Sequence, residues 1–451
     1  MIDLQTRPSS LIENFDLVRE LLRTYGPEHL HDQRERSFRE FQLRGVPSTA
    51  DEEFKYVSLK VLEEGRFGPS YGAIVDRHQL QATPLGGLDA ITLTFLNGEY
   101  SPELSSAHAL PDGVFIGTLQ DAFAAHEESL SDWITRIATL EGKLGSSNDE
   151  RFVHLNTAYL SEGAFVHIPK GVVLGTPIHL QWVSLADHGP FASHPRNLIV
   201  LEEDAQAKVI ESYVGLGGTY FTNAVTEAAL GSRSILELTK FQNEGPDSVH
   251  IATVAVHQAA NSTLTSNNTN FGGKIVRNDV TVWLDGEHTE TWLNGASVGL
   301  GRQVIDNHTR IDHAKPNCHS FETYKSVLGG HAVGIFNGKI FVYEDAQKTD
   351  AKQTNQAILL SPTATFNTKP QLEIFADDVK CTHGATVGQL RGEAMFYLQT
   401  RGIPKKQAEA LLVYAFAAEV LEKITIAEVR DALEKLLFEK LSSDELPNLE
   451  A

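Results

Sequence analysis

Residues 337–390 read NGKIFVYEDAQKTDAKQTNQAILLSPTATFNTKPQLEIFADDVKCTHGATVGQL. Two pieces of this stretch share one build: GKIFVYEDAQKTDAKQTN from Gly338 and LEIFADDVKCTHGATVG from Leu372. Each is an apolar, β-branched or aromatic run, then a polar corner, then a second run suited to a strand. Upstream the same unit recurs: HIPKGVVLGTPIHL from His167, IVLEEDAQAKVIES from Ile199, TEAALGSRSILEL from Thr226, VAVHQAANSTLTS from Val254, VTVWLDGEHTETWLN from Val280 and HTRIDHAKPNCHS from His308. Successive starts lie 32, 27, 28, 26, 28, 30 and 34 residues apart. A unit this short cannot bury its own apolar face, so it must stack on its neighbours. A parallel β-helix and a β-sandwich of regular hairpins both fit. Strong hairpin dipeptides at fixed offsets are scarce, which favours the β-helix.

The flanks follow another period. Leu11, Phe15, Val18 and Leu22 recur at helical spacing, and Ser10 with Glu13 forms a capping-box pattern. A second helical run is predicted over 118–143, with Leu119, Phe123, Leu130, Trp133 and Ile137 on one face. Between them, ITLTFLNGEYS at 91–101 reads as a strand and turn. After about residue 390 the helical period returns. Gly402, Ile403 and Pro404 mark a boundary, followed by Leu411, Leu412, Ala415, Val420 and Ile424. Thr425 with Glu428 repeats the capping pattern ahead of Val429, Leu433, Leu436, Leu437 and Leu441. The expected chain is mainly β: an α-rich region at 1–150, a β-helix core at 151–390 and a helical region at 391–451.

The formal charge of −21 opposes sequence-independent nucleic-acid binding, which needs cations against phosphate, and docking on anionic lipid. No apolar run approaches the ~20 residues that span a bilayer. The first residues, MIDLQTRPSSLIENFD, do not read as a leader. With only two cysteines, Cys318 and Cys381, a disulfide framework is excluded and a reducing cytoplasm is expected. Two thiols cannot complete a four-thiolate cluster site, so any iron–sulfur centre must be shared or take other ligands.

Cys381 and His383 are the leading chemical pair. Residues two apart in a strand face the same way, about 6.5–7 Å apart. A thiolate and an imidazole there could reach one metal or one cluster edge, although a buried cysteine beside a hydrogen-bonded histidine has the same spacing. His308, His313, Cys318 and His319 crowd twelve residues, but no zinc-finger spacing fits them. The repeat alignment puts His319 and His383 in similar slots two coils apart, as rungs of a stacked ladder or steps on an iron or sulfur route. Asp345, Lys348, Asp350, Asp377 and Asp378 read as solvated corners. Gly272-Gly273-Lys274 lacks the full phosphate-loop pattern, so this chain is expected to bind no nucleotide.

Those motifs carry a resemblance. The segment 337–390 with the helical AMFYLQTRGIPKKQAEALLVYAFAAEVLEKI after it resembles the SufB/SufD family of iron–sulfur cluster assembly proteins, and its SufD branch. LRGVPSTADEEFKY at 43–56 resembles the family's acidic–aromatic–Lys-Tyr segment, with Phe54 where a Trp is common. YFTNAVTE at 220–227, GGKIVRND at 272–279, LNGA at 293–296 and DNHTRIDHAKPNC at 306–318 are similar as well. The HGATVG run from His383 looks SufD-like, because an acidic residue usually follows this histidine in SufB-like members. Arg391-Gly392 departs from an acidic pair common after GQL. The resemblance implies a right-handed parallel β-helix and a non-catalytic scaffold subunit. It implies a SufB-like partner joined through the β-helix and two copies of a SufC-like ATPase on the C-terminal helices. It also implies a transient iron or iron–sulfur cluster shared with SufB, with His383 as ligand and Cys381 beside it. Two other readings remain: a structural homodimer and a β-helix enzyme acting on polysaccharide.

Overall fold

The computed structural model describes residues 9–106, 108–125, 130, 133–139, 149–390 and 392–442. Its centre is a parallel β-helix flattened into two sheets. One sheet carries Gly163–Ile168, Arg196–Leu201, Tyr220–Leu230, Val249–Gln258, Ile275–Leu284, Val304–His313, Val333–Val342 and Thr365–Ile374. The other carries Ile91–Leu96, Ile178–Leu185, Gln206–Gly217, Ile235–Asn243, Thr263–Asn270, Glu290–Gly299, His319–Leu328, Asp350–Leu359 and Lys380–Gly388. Each coil gives one strand to each sheet, and consecutive coils pair parallel and in register. This parallel pairing excludes the hairpin sandwich.

The corner from the first sheet to the second is a repeated backbone device. Asp204, Arg233, Asn261, His288, Asn317 and Lys348 all have φ between 58° and 62°. Each sits two residues before its second-sheet strand. Asn and Asp adopt this left-handed conformation readily, whereas Arg, His and Lys do so against their preference. Stacking of like corners overrides that preference, and it leaves few glycines to announce the turns.

Inward residues such as Ile199, Val254, Val280, Leu236, Leu264 and Leu293 form the dry core of the coil. The outward face of the first sheet is covered by the N-terminal helices through Phe15, Phe38, Phe41 and Phe54 on Phe221, Val249, Ile251 and Ile275. The C-terminal helices cover the second sheet, with Val413, Ala417, Val420 and Leu421 against Phe241, Phe271, Ala296 and Val327. Leu411, expected on that stripe, is exposed.

Two local expectations are corrected. The helix Ser10–Leu22 is capped by Ser9, whose Oγ accepts from Leu11 N, while Ser10 Oγ donates to Gly65 O. Of the helical run expected over 118–143, the helix Leu119–Ala125 is present, Leu130 and Trp133 are helical, and residues 134–139 form turns. There the N–H groups of Thr135, Ile137 and Ala138 donate to the buried Glu227 carboxylate instead of helical carbonyls. The remainder of that run, 126–129, 131–132 and 140–143, lies outside the described residues, as does Arg391 of the Arg391-Gly392 pair. The strand Ile91–Leu96, with the turn at Asn97 and Gly98 after it, is present as expected. It pairs parallel with Ile178–Leu185 and so extends the second sheet into the helical N-terminal region.

The two ends of the coil differ. At the start, Phe115–Thr118 and Glu99–Tyr100 close the sheets with short antiparallel strands. At the finish, Thr365–Ile374 and Lys380–Gly388 are long terminal strands, each pairing with one neighbour.

Candidate functional site

The finishing end of the coil carries the expected pair, Cys381 and His383. Cys381 is half-buried and packs with Leu372 and Val379 against Ile340, Val342, Ala346, Ala351 and Ala376. Its thiol therefore belongs to the interior of the last coil. Strand alternation puts His383 on the same side, where it remains exposed because no further coil stacks on it. Burial, aided by nearby Asp350, pushes the Cys381 thiol up. It is a thiol at neutral pH, and a metal must displace its proton to gain a thiolate ligand. On the last coil, Ile374, Phe375 and Val387 are exposed apolar side chains, Phe375 at 59%.

Two residues not singled out in the sequence stand in register above His383. Gln353 pairs with His383, and Glu322 pairs with Gln353. Gln353 is 1% exposed, and its Nε2 donates to Glu322 Oε2 at 2.5 Å. The amide fits because Gly338 faces it: a Cβ there would lie 2.2 Å from Gln353 Nε2. Burial pushes the Glu322 carboxyl up to about 7. A raised carboxyl favours the protonated fold. Its stabilisation is full below the ordinary range near 4.5 and is lost as pH climbs through about 7. Glu322→Gln removes the charge and keeps an oxygen for Gln353. Its stability advantage over the parent should be about 2 kcal/mol larger at pH 8 than at pH 5.5. Urea midpoints at the two pH values measure this, and an equal increment at both would mean that Glu322 does not titrate in this window.

The other histidines and cysteine scatter. Cys318 is buried in the coil core, its Sγ 3.2 Å from Gly286 O, and burial pushes the thiol up. His313 is buried with Nε2 2.9 Å from Ser320 Oγ, and burial lowers it to about 3. His308 faces outward between Glu53 Oε2 at 3.2 Å and Asp306 Oδ1 at 2.9 Å. Burial and the Arg277 guanidinium oppose its charge, yet the two carboxylates hold it up to about 8. His319 is exposed and in register with Asp350, which pairs with Lys380. His319 and His383 are therefore not rungs of one ladder, because two coils here take fewer residues than the spacing assumed. Among the described residues, no three His, Cys, Asp or Glu side chains converge on one metal position.

A family comparison bears on this frame. The model of the SufBD core domain of the SUF system for iron–sulfur cluster assembly matches residues 184–416, and that of the SufBD N-terminal region matches residues 5–180. The chain belongs to the SufBD family. It is 33% identical over 399 residues to a SufBD family iron–sulfur cluster assembly protein of Synechocystis, covering 86% of each chain. It is 32% identical to the iron–sulfur cluster assembly protein SufD of Escherichia coli, over 84% of this chain and 86% of that one. A chloroplastic protein of Arabidopsis thaliana is 30% identical over 85% of this chain and 80% of its own. The β-helix is thus the frame of a SufBD-family iron–sulfur cluster assembly protein. The core match spans the polar coil interior, where Lys240 Nζ donates to Asn278 Oδ1 at 2.7 Å and burial lowers Lys240 to about 8. It stops inside the helix Lys405–Leu421. No helix among the described residues is long and apolar enough to cross a membrane.

Proposed function

We propose that this chain is a SufD-like scaffold subunit that builds iron–sulfur clusters with a SufB-like partner and two copies of a SufC-like ATPase. It does no bond-making chemistry of its own. Three regions divide the work: 1–150 braces the coil, 151–390 is the β-helix and 391–451 is helical. The observation that carries this reading is the uncovered last coil, which puts Cys381 and His383 on a terminal strand beside two sheet edges. Unpaired strand edges are natural pairing surfaces, and here they run ten and nine residues. A SufB-like β-helix docked there would cover Phe375 and Val387 and enclose the pair. Iron or the nascent cluster is cargo at that junction, held by His383 with help from Cys381. The partner supplies the other ligands, since two side chains cannot complete a cluster.

The ATPase is assigned to the C-terminal helices. The helix Gly392–Thr400 buries none of its residues and exposes Phe396 and Tyr397, Phe396 at 68%. ATP-driven closure of two SufC-like subunits would move those helices and rearrange the junction. A reducing, cytoplasmic setting suits the two free cysteines. The test is co-expression with SufB-like and SufC-like subunits, followed by the mass and iron content of the purified material. A single complex containing all three and retaining iron is expected. A lone homodimer that ignores both partners would overturn the assignment.

A further inference from the structure

We propose that Gln353 is a positioning residue for His383: its side-chain carbonyl accepts the ring N–H, fixes the tautomer and turns the other ring nitrogen out of the coil end toward iron. This rests on the reading of His383 as an iron ligand.

Three observations meet here. The first is the orientation of the Gln353 amide. Its Nε2 donates to the Glu322 carboxylate and lies against Gly338, so Oε1 is the free face. The second is that Oε1 is buried and has no hydrogen-bond partner among the described residues. A buried acceptor left so is costly, and it stands ready for a donor that arrives later. The third is register. His383 is the residue directly paired with Gln353 in the adjoining coil, one strand spacing of about 4.8 Å away. An imidazole turned toward the coil axis spans that gap. When a partner covers the end and removes water, the ring has one buried acceptor waiting in the coil.

The chemistry follows from the neutral ring. It has one N–H and one lone pair, on different nitrogens. Donating the N–H to Gln353 assigns the lone pair to the outward nitrogen. Metal-bound histidines commonly need such an outer partner to set ring and tautomer. Glu322 in turn holds the amide through its Oε2, which accepts from Gln353 Nε2.

The experiment uses the co-purified three-subunit complex. Ferrous iron is titrated anaerobically, and cupric ion serves as spin probe. Pulsed EPR then reads the quadrupole coupling of the remote ring nitrogen, which reports the hydrogen bond on that nitrogen. His383→Ala should lose both the iron and the nitrogen signal. Gln353→Met should keep the complex mass and the signal, shift the coupling, and weaken ferrous binding about 10–100-fold. Glu322→Gln should lower iron affinity several-fold while raising stability, a split that a merely structural role does not give. Unchanged coupling and affinity in Gln353→Met, with His383→Ala still defective, would overturn the role of Gln353 and leave His383 standing. Normal iron binding by His383→Ala would remove both. Should Gln353→Met fail to assemble, Glu322→Gln decides, and an unchanged coupling and affinity in that variant overturns the proposal.

Discussion

Glu227→Leu is expected to destabilise the protein by about 5 kcal/mol, the upper end of what breaking a buried ion pair costs. Glu227 and Arg196 are both fully buried. Glu227 Oε2 accepts from Arg196 Nε at 3.1 Å and Nη2 at 2.5 Å, and from Thr135 N at 2.8 Å. Its Oε1 accepts from Ile137 N and Ala138 N, both at 2.9 Å. Leucine would strand a guanidinium and three peptide donors out of water. Each unmade bond of this kind costs about 1–3 kcal/mol. Among the described residues, the stranded Arg196 would retain Asn156 Oδ1 and Thr157 Oγ1 as acceptors. The shift in urea midpoint is the measurement. Pairing the change with Arg196→Met should recover about half of the loss, since an apolar pair carries no unmatched charge while the three peptide donors remain unfilled. A loss under 1 kcal/mol in the single variant would mean that water or another acceptor reaches the segment 133–139.

His383→Ala is expected to leave the three-subunit complex intact and to lower its cluster content tenfold or more. Alanine removes the ring without burying anything, because His383 is exposed on a terminal strand. The loss should therefore appear in iron and acid-labile sulfide per complex, with mass unchanged. Cys381→Ala should do less, since burial disfavours the Cys381 thiolate and the side chain already packs as a small apolar group. A normal cluster yield from an intact His383→Ala complex would remove His383 from the site.

Much of the coil could be read from the chain alone. Thr226, Val254 and Val280 are register partners as their repeats align. The alignment slips afterwards. Val280 pairs with Thr309 rather than His308, and Gly338 pairs with Pro370 rather than Leu372. A one-residue slip reverses the face of a strand. That slip sends His308 outward to Glu53 and Asp306, away from any interior ladder. Ile91–Leu96 was legible as a strand but not as part of the coil, because no local pattern announces a partner 87 residues on, as Ile91 has in Ile178. Glu322 and Gln353 were missed for a related reason. A polar residue in an alternating strand reads as solvent-facing until register shows that it points in. The C-x-H spacing of Cys381 and His383 could be seen at once. That theirs is the last coil could not, since it depends on where stacking stops.

The uncovered end also ties folding to concentration. In a solenoid each coil is held by its neighbours, so the energy of ordering is nearly a sum of adjacent interfaces. The strand Lys380–Gly388 has one such interface, as has Thr365–Ile374, where the inner strands of the coil have two. These are the segments from which the coil opens with least work, and their amides are the first to exchange with solvent. A partner docking there supplies the missing interface, so association and completion of the fold form one equilibrium governed by mass action. If the proposed junction forms there, the strand bearing Cys381 and His383 is expected to be less protected below the concentration at which it forms, and the proposed site with it.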